Sequence, residues 1–186
     1  MDKNLILAEH EVFETERLIL RKLEMSDAED LFEIFSNSEI VRYVTFRAHH
    51  SIEETKAELA NKLLPQRQMM WGIVEKTSLK VIGIISLYVK ADKGEFAWNL
   101  NQKFWGKGLM PEAAQTLVDF AFKELELNVL TADHFAENQK SGRVMEKIGM
   151  KKRGQIYAYI KKLEKSVLCD YWALMLEDYR QERNEK

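Results

Sequence analysis

The chain has few of the residues that usually staple or partition a small protein. It holds one cysteine, Cys169, among 186 residues. That excludes an internal disulfide framework and a multi-cysteine metal site. Two prolines and eight glycines leave no Pro/Gly-rich linker, and no internal repeat or low-complexity stretch divides the chain. A single domain over residues 1–186 is expected. Positive charge is not in excess: 28 Lys+Arg stand against 30 Asp+Glu, a formal net charge of -2. A broad nucleic-acid footprint, and direct DNA binding with it, is therefore not expected. No apolar run approaches the ~20 residues of a membrane-spanning helix. The acidic start MDKNLILAEHEVFE lacks the charged-then-apolar order of a signal peptide. A cytoplasmic location away from membranes is the simplest expectation.

With 46% hydrophobic residues the chain can bury a sizeable core. FETERLILRKLE, residues 13–24, reads as a strand. Ser26 with Glu29, and Ser51 with Glu54, have the spacing of a helix capping box. The strand-like runs MMWGIVEK and LKVIGIISLYVK are joined by a polar turn at residues 76–80. The turn ADKG leads into EFAWNLN, whose alternation puts Phe96, Trp98 and Leu100 on one face. A helix follows to about residue 126. NVLTADHF is a strand, and ENQKSGRVMEKIG a helix closed by Gly149. QIYAYIKK and VLCDYWALM form a final hairpin, and the polar tail EDYRQERNEK is expected to fray. The order is strand, two helices, three strands, helix, strand, helix, two strands. This predicts an α/β (α+β) fold, a mixed sheet of about seven strands with helices on both faces.

KFWGKGLMPEAAQ, from Lys103, places two glycines one residue apart before a helix. Pro111 stands where a P-loop or a dinucleotide fingerprint needs its next glycine, so both are excluded. A kinase loop would need HRD and DFG sequences, and neither occurs. Gly106 and Gly108 permit a sharp turn and close backbone approach. The helix start behind them presents free N–H groups and a positive dipole end, and Lys107 adds a mobile charge. From local residues alone, an anion site and a plain strand-to-helix turn remain equally open.

K-F-W-G-K-G resembles the Q/R-x-x-G-x-G/A signature of the GNAT acyltransferases, with Lys103 in place of Gln or Arg. TERLILRKLEMSDAEDLFEIFSNSEIVRYV is similar to the N-terminal part of the RimJ/RimL-type branch, the ribosomal-protein N-terminal acetyltransferases and their relatives. ENQKSGRVMEKIGMKKRG is similar to that branch's N-x-x-S-x-x-V-x-E-K-x-G segment, and CDYWALM to its closing strand. The resemblance implies a mostly antiparallel GNAT sheet, acetyl-CoA as co-substrate and an amine acceptor, either a protein N-terminus or a small molecule. It implies that Trp98, Asn99 and Leu100, on a strand splayed from its neighbour, pair with pantetheine. Trp105, Gly106, Lys107, Gly108, Leu109 and Met110 would surround the pyrophosphate. Asn138 would bond the pantetheine arm, although a plain helix N-cap is also open.

Acetyl transfer to an amine needs a positioned thioester, a neutral amine and help for the leaving thiolate. Much of the superfamily has a tyrosine acid where this chain has Met145. Ser141 is the replacement the branch implies, as a hydrogen-bond donor to the thiolate, against a plain helix-surface serine. Glu95 is the candidate base; His134 and a water relay are alternatives, and Asp170 is a candidate to orient the acceptor amine. Asp170 has a structural reading too, as the buried partner of an arginine. Cys169 has no neighbouring histidine and reads as a buried thiol, not a nucleophile, so direct transfer in a ternary complex is expected. Tyr43 and Phe46 are candidates for the acceptor groove or for the core. His49 and His50 lack companions for a metal site, and none is expected. Glu137 reads as a solvated helix-start carboxylate. The acceptor readings are the N-terminal α-amine of a protein, a ribosomal one included, or a polyamine, amino acid or antibiotic. A non-catalytic acyl-CoA sensor, and a structural subunit pairing through the final strand as a homodimer, are the rivals from other classes.

Overall fold

A computed structural model describes residues 2–184. Its elements are α1 (Lys3–Glu9), β1 (Val12–Glu14), β2 (Leu18–Arg21), α2 (Ala28–Phe35), α3 (Ser38–Val41), α4 (Ile52–Glu58), β3 (Met70–Glu75), β4 (Val81–Lys90), β5 (Lys93–Leu100), α5 (Leu109–Lys123), β6 (Val129–Phe135), α6 (Gln139–Lys147), β7 (Lys151–Ile160), β8 (Lys165–Met175) and α7 (Leu176–Asn184). One sheet runs β1-β2-β3-β4-β5-β6-β8-β7. Every pairing is antiparallel except β5 with β6. This is the mixed, mostly antiparallel sheet expected, with helices on both faces.

The eighth strand arises within residues 13–24. Thr15 breaks that run: its N–H donates to Leu18 O at 2.9 Å, and its Oγ1 accepts from Leu18 N at 2.9 Å. This side-chain turn reverses the chain, so a single expected strand becomes the hairpin β1–β2. The expected cap at Ser26 also shifts. The reciprocal pair is Glu24 with Asp27, whose Oδ2 accepts from Glu24 N at 2.8 Å. Ser51 caps α4 through Glu54 N, but Glu54 returns its bond to His50 N. α1 had no signal beyond Asp2, whose side chain accepts from Asn4 N. The C-terminal segment is not frayed through residue 184: Tyr179 of α7 stacks on Phe122, and Asp178 binds Lys151 and Arg153. Residues 185–186 of the expected tail lie outside the described residues.

The helix α5 is the main buttress. Ala113, Ala114, Leu117, Val118 and Ala121 are fully buried against Leu18, Leu20, Trp71, Ile73 and Ile85. On the other face Leu31, Ile34 and Phe35 of α2 meet Leu23, Val74, Val81 and Ile84. Each fully buried Leu or Ile contributes about 1.5–3 kcal/mol. At Gly83 the sheet has no room for a side chain: a Cβ would lie 2.5 Å from Asn99 O. That close approach sets β5 tightly against β4, pairing Gly83 with Leu100.

Candidate active site

The site begins where two strands part. β5 and β6 pair in parallel only at Lys93/Val129, Gly94/Leu130 and Glu95/Thr131. β5 then continues to Leu100 and β6 to Phe135 without ladder bonds between them. A strand inside a sheet ordinarily keeps both edges paired. The β5 edge beyond Glu95 is thus left without a β6 partner. The divergence opens a cleft of about 1110 Å³. Glu95, Trp98, Asn99, Leu100, Trp105, Gly106, Gly108, Leu109, Met110, Asn138 and Ser141 all line it. Tyr43 and Phe46 do as well. Lys107 does not; its Nζ lies 4.9 Å from the Phe104 ring centroid.

At the glycine turn, Gly106 and Gly108 both have φ near 76°, a left-handed conformation that favours glycine. A Cβ on Gly106 would meet nothing within 4 Å, and one on Gly108 would meet only Arg17 Nη2, at 3.6 Å. The backbone therefore faces open space. α5 starts behind it with Glu112 N donating to Gly108 O at 3.2 Å, so the N–H groups of Leu109 and Met110 precede the helix ladder. This cradle fits a diphosphate.

Three residues that clamp the turn were not legible from sequence. Arg17 pairs with Glu112 at 2.6 Å and donates Nη1 to Lys107 O at 2.9 Å. Thr15 Oγ1 donates to Glu112 Oε1 at 2.5 Å. Burial alone would raise the Glu112 carboxyl; the bonds from Thr15 and Arg17 outweigh it and hold it below its usual range. Lys103 is engaged away from the turn, with Glu33 of α2. At the rim, Lys140 Nζ sits 4.0 Å from the Trp105 ring centroid.

Asn138 is the N-cap of α6, accepting from Ser141 N. Its Nδ2 donates to Ser141 Oγ at 3.0 Å. That bond occupies a lone pair of Ser141 and leaves its hydroxyl proton for the cleft. Met145 is buried, so no acid stands where much of the superfamily has tyrosine.

His134 is not a base. Its Nε2 accepts from Trp172 Nε1 at 3.1 Å and its Nδ1 bonds Phe135 O at 2.8 Å. Both ring nitrogens are spent in packing. Asp170 is buried and pairs with Lys152 at 2.7 Å and with Gln155. The expected structural partner is thus lysine in place of arginine. The Lys152 bond holds its carboxyl below the usual range, against a smaller opposing effect of burial. Cys169 is fully buried, and burial pushes its thiol up.

The carboxylate that sequence missed is Asp133. Register places Glu95 opposite Thr131, and Asp133 lies two residues on, on the same sheet face. Both carboxylates line the cleft. Solvent reaches Asp133, but the cleft walls displace enough of it to raise its carboxyl, and the Glu95 charge raises it further; His134 and Lys93 oppose this. A carboxylate held above its ordinary range is a better proton acceptor near neutral pH.

A model of the acetyltransferase (GNAT) domain family matches residues 17–151. The N-acetyltransferase YoaA of Bacillus subtilis, itself uncharacterized, is 31% identical over 80% of this chain and 88% of its own. YdaF of the same organism, named for ribosomal N-acetylation, is 29% identical over 75% of this chain and 81% of its own. The spermidine N(1)-acetyltransferase of Escherichia coli is 24% identical over 74% of each chain. Among solved structures, a GNAT-family acetyltransferase from Bacillus anthracis superposes with a TM-score of 0.80, at 27% identity over 89% of this chain and 99% of that one. The chain belongs to the GNAT acetyltransferase family. Within it, the chain is an acetyl-CoA-dependent N-acetyltransferase.

Proposed function

We propose that the enzyme transfers acetyl directly to the N-terminal α-amine of a protein, with ribosomal proteins as the acceptor class. The observation that supports this reading most is the parting of β5 from β6 after Glu95 and Thr131. It leaves a free strand edge between the glycine turn and a pair of carboxylates. Acetyl-CoA supplies the thioester-bound acetyl group. Trp98, Asn99 and Leu100 present backbone groups to the pantetheine amides. Gly106, Gly108, Leu109 and Met110 present N–H groups to the diphosphate. Glu95 and Asp133 accept the ammonium proton, directly or through water. Ser141 donates its hydroxyl hydrogen toward the departing sulfur, and Asn138 fixes the direction of that hydrogen.

The acceptor's own chemistry sets the demand on the base. An α-amine has pKa about 8, so roughly a tenth is neutral at pH 7, whereas a lysine near 10.4 is almost wholly charged. Two carboxylates meet the first demand more easily than the second. The name of YdaF supports a ribosomal acceptor. A small-amine acceptor is the second reading, favoured by the acidic lining and by the spermidine acetyltransferase among the relatives. The buried, unactivated Cys169 supports a ternary complex over a ping-pong route.

Acetyl-transfer profiling against peptides, ribosomal proteins and small amines, read by mass spectrometry, tests the assignment. Acetylation of N-terminal α-amines at the highest kcat/KM is expected. A small amine that outperforms every peptide would replace the proposed acceptor.

A further inference from the structure

Apart from Glu137 just before α6, the charges that line the cleft are sorted by position. The basic ones, Lys140, Arg143 and Lys147, all belong to α6, on the cofactor side. On the opposite side the lining runs over the sheet floor and under α3 and α4. Its charged residues there are Glu39, Glu58, Glu95 and Asp133, with no lysine or arginine among them. Glu58 is partly neutralised by Lys62 at 2.8 Å. Glu39 is exposed and has no ion pair among the described residues.

A further group on this floor lacks a partner. Cross-strand register sets the floor in rows: Tyr88 with Glu95, Ser86 with Ala97, Ile84 with Asn99. Ser86 is 4% exposed and lines the cleft. Asn99 Oδ1 is buried in the same lining, without a partner among the described residues. A buried carbonyl oxygen left unpaired costs about 1–3 kcal/mol, and it can only accept. The acidic lining and this oxygen call for a ligand that brings N–H donors and positive charge. Successive rows on one strand lie roughly 7 Å apart, so Asn99 is roughly 13 Å from Glu95.

We propose that the acceptor side selects a primary amine whose chain carries a second positive charge, with the reacting amine at Glu95 and Asp133 and the second cation directed to Glu39 and the Ser86–Asn99 rows. A peptide N-terminus followed closely by lysine or arginine has this chemistry, and so does an aliphatic polyamine. A hydrophobic monoamine does not. This inference rests on the acetyl-transfer reading above and narrows its acceptor.

The test compares four acceptors: a neutral alanine-initiated peptide, the same peptide with lysine at its third position, the diamine 1,4-diaminobutane, and a linear monoamine of the same length. The dicationic member of each pair should have at least ~10-fold higher kcat/KM, carried by KM and reduced by added salt. The larger of the two gains identifies the source. Glu39→Gln should shrink the gain while leaving turnover of the neutral peptide unchanged. Equal kcat/KM within both pairs, or a Glu39→Gln loss equal for neutral and dicationic acceptors, would overturn the inference. Calorimetric binding of the same four molecules to CoA-saturated protein separates the two levels. Dication-selective binding without turnover would sink the acetyl-transfer reading and keep the selectivity; unselective binding would sink the selectivity alone.

Discussion

Ser141 and Asn138 form one unit, because the amide of Asn138 orients the hydroxyl of Ser141. Ser141→Ala should lower kcat about 10- to 150-fold, the worth of one hydrogen bond to a charged group. Asn138→Ala should lower kcat as well, and the double variant should lose much less than the product of the two. Steady-state kinetics on the four proteins checks this; strictly multiplicative losses would show that the two side chains act independently. The carboxylate pair yields a pH signature. If Asp133 must be ionised, the acid limb of kcat/KM lies above the ordinary carboxylate range, because enclosure and Glu95 raise its pKa. Glu95→Gln removes one of these causes, so the limb should move to lower pH even as the maximum rate falls. A limb unmoved in the pH–rate profile would show that Asp133 is not the titrating group. Asp133 was not legible from sequence because its partner is unknown until β6 is seen to lie parallel to β5. That Ser141, Asn138 and Glu95 line the cleft was legible, the first two from a short contiguous motif and Glu95 from its place on the strand before the glycine turn.

Between elements, Arg17 is the tie that connects the first hairpin to the glycine turn and α5. Arg17→Ala should raise the KM for acetyl-CoA roughly 10-fold with kcat little changed, since the clamp acts on ground-state binding. A fall in kcat at constant KM would place Arg17 in the chemistry instead. Sequence gave no hint of this contact, because ninety residues separate Arg17 from Lys107. Local signals fared better: the turn before α5, the α6 cap and the final hairpin lie where pattern placed them. They failed where a side chain redirected the backbone. Thr15 split a strand into two, and the pair Glu24–Asp27 took the capping roles expected of Ser26 and Glu29. The last helix was misread because its polar sequence conceals one anchoring ring, Tyr179, and one paired carboxylate, Asp178.

At the scale of the whole molecule, stability carries its own pH dependence through Lys22. Burial lowers its pKa to about 7, and its ammonium donates to Gln68 O at 2.7 Å and lies 3.6 Å from the Trp71 ring centroid. The folded state holds this proton less tightly than the unfolded chain. Stability should therefore rise as pH increases from about 7 toward 10.5, by roughly 2–4 kcal/mol after discounting for the Trp71 contact. Urea unfolding of wild type against Lys22→Met across that window measures it, and a wild-type slope equal to the variant's would refute the assignment. The molecule's central feature, however, is a glycine cradle at the end of a parted strand. Titration calorimetry of acetyl-CoA into wild type and Gly108→Val, with folding of both checked by circular dichroism, measures it most directly. One molecule of acetyl-CoA should bind per wild-type chain, and a saturating ~100-fold excess over Kd should add about 2.7 kcal/mol to stability. A side chain at Gly108 would intrude where the backbone faces open space, so folded Gly108→Val should show no measurable binding. Undiminished affinity in that folded variant would contradict the account, placing the cofactor's phosphates somewhere other than this turn.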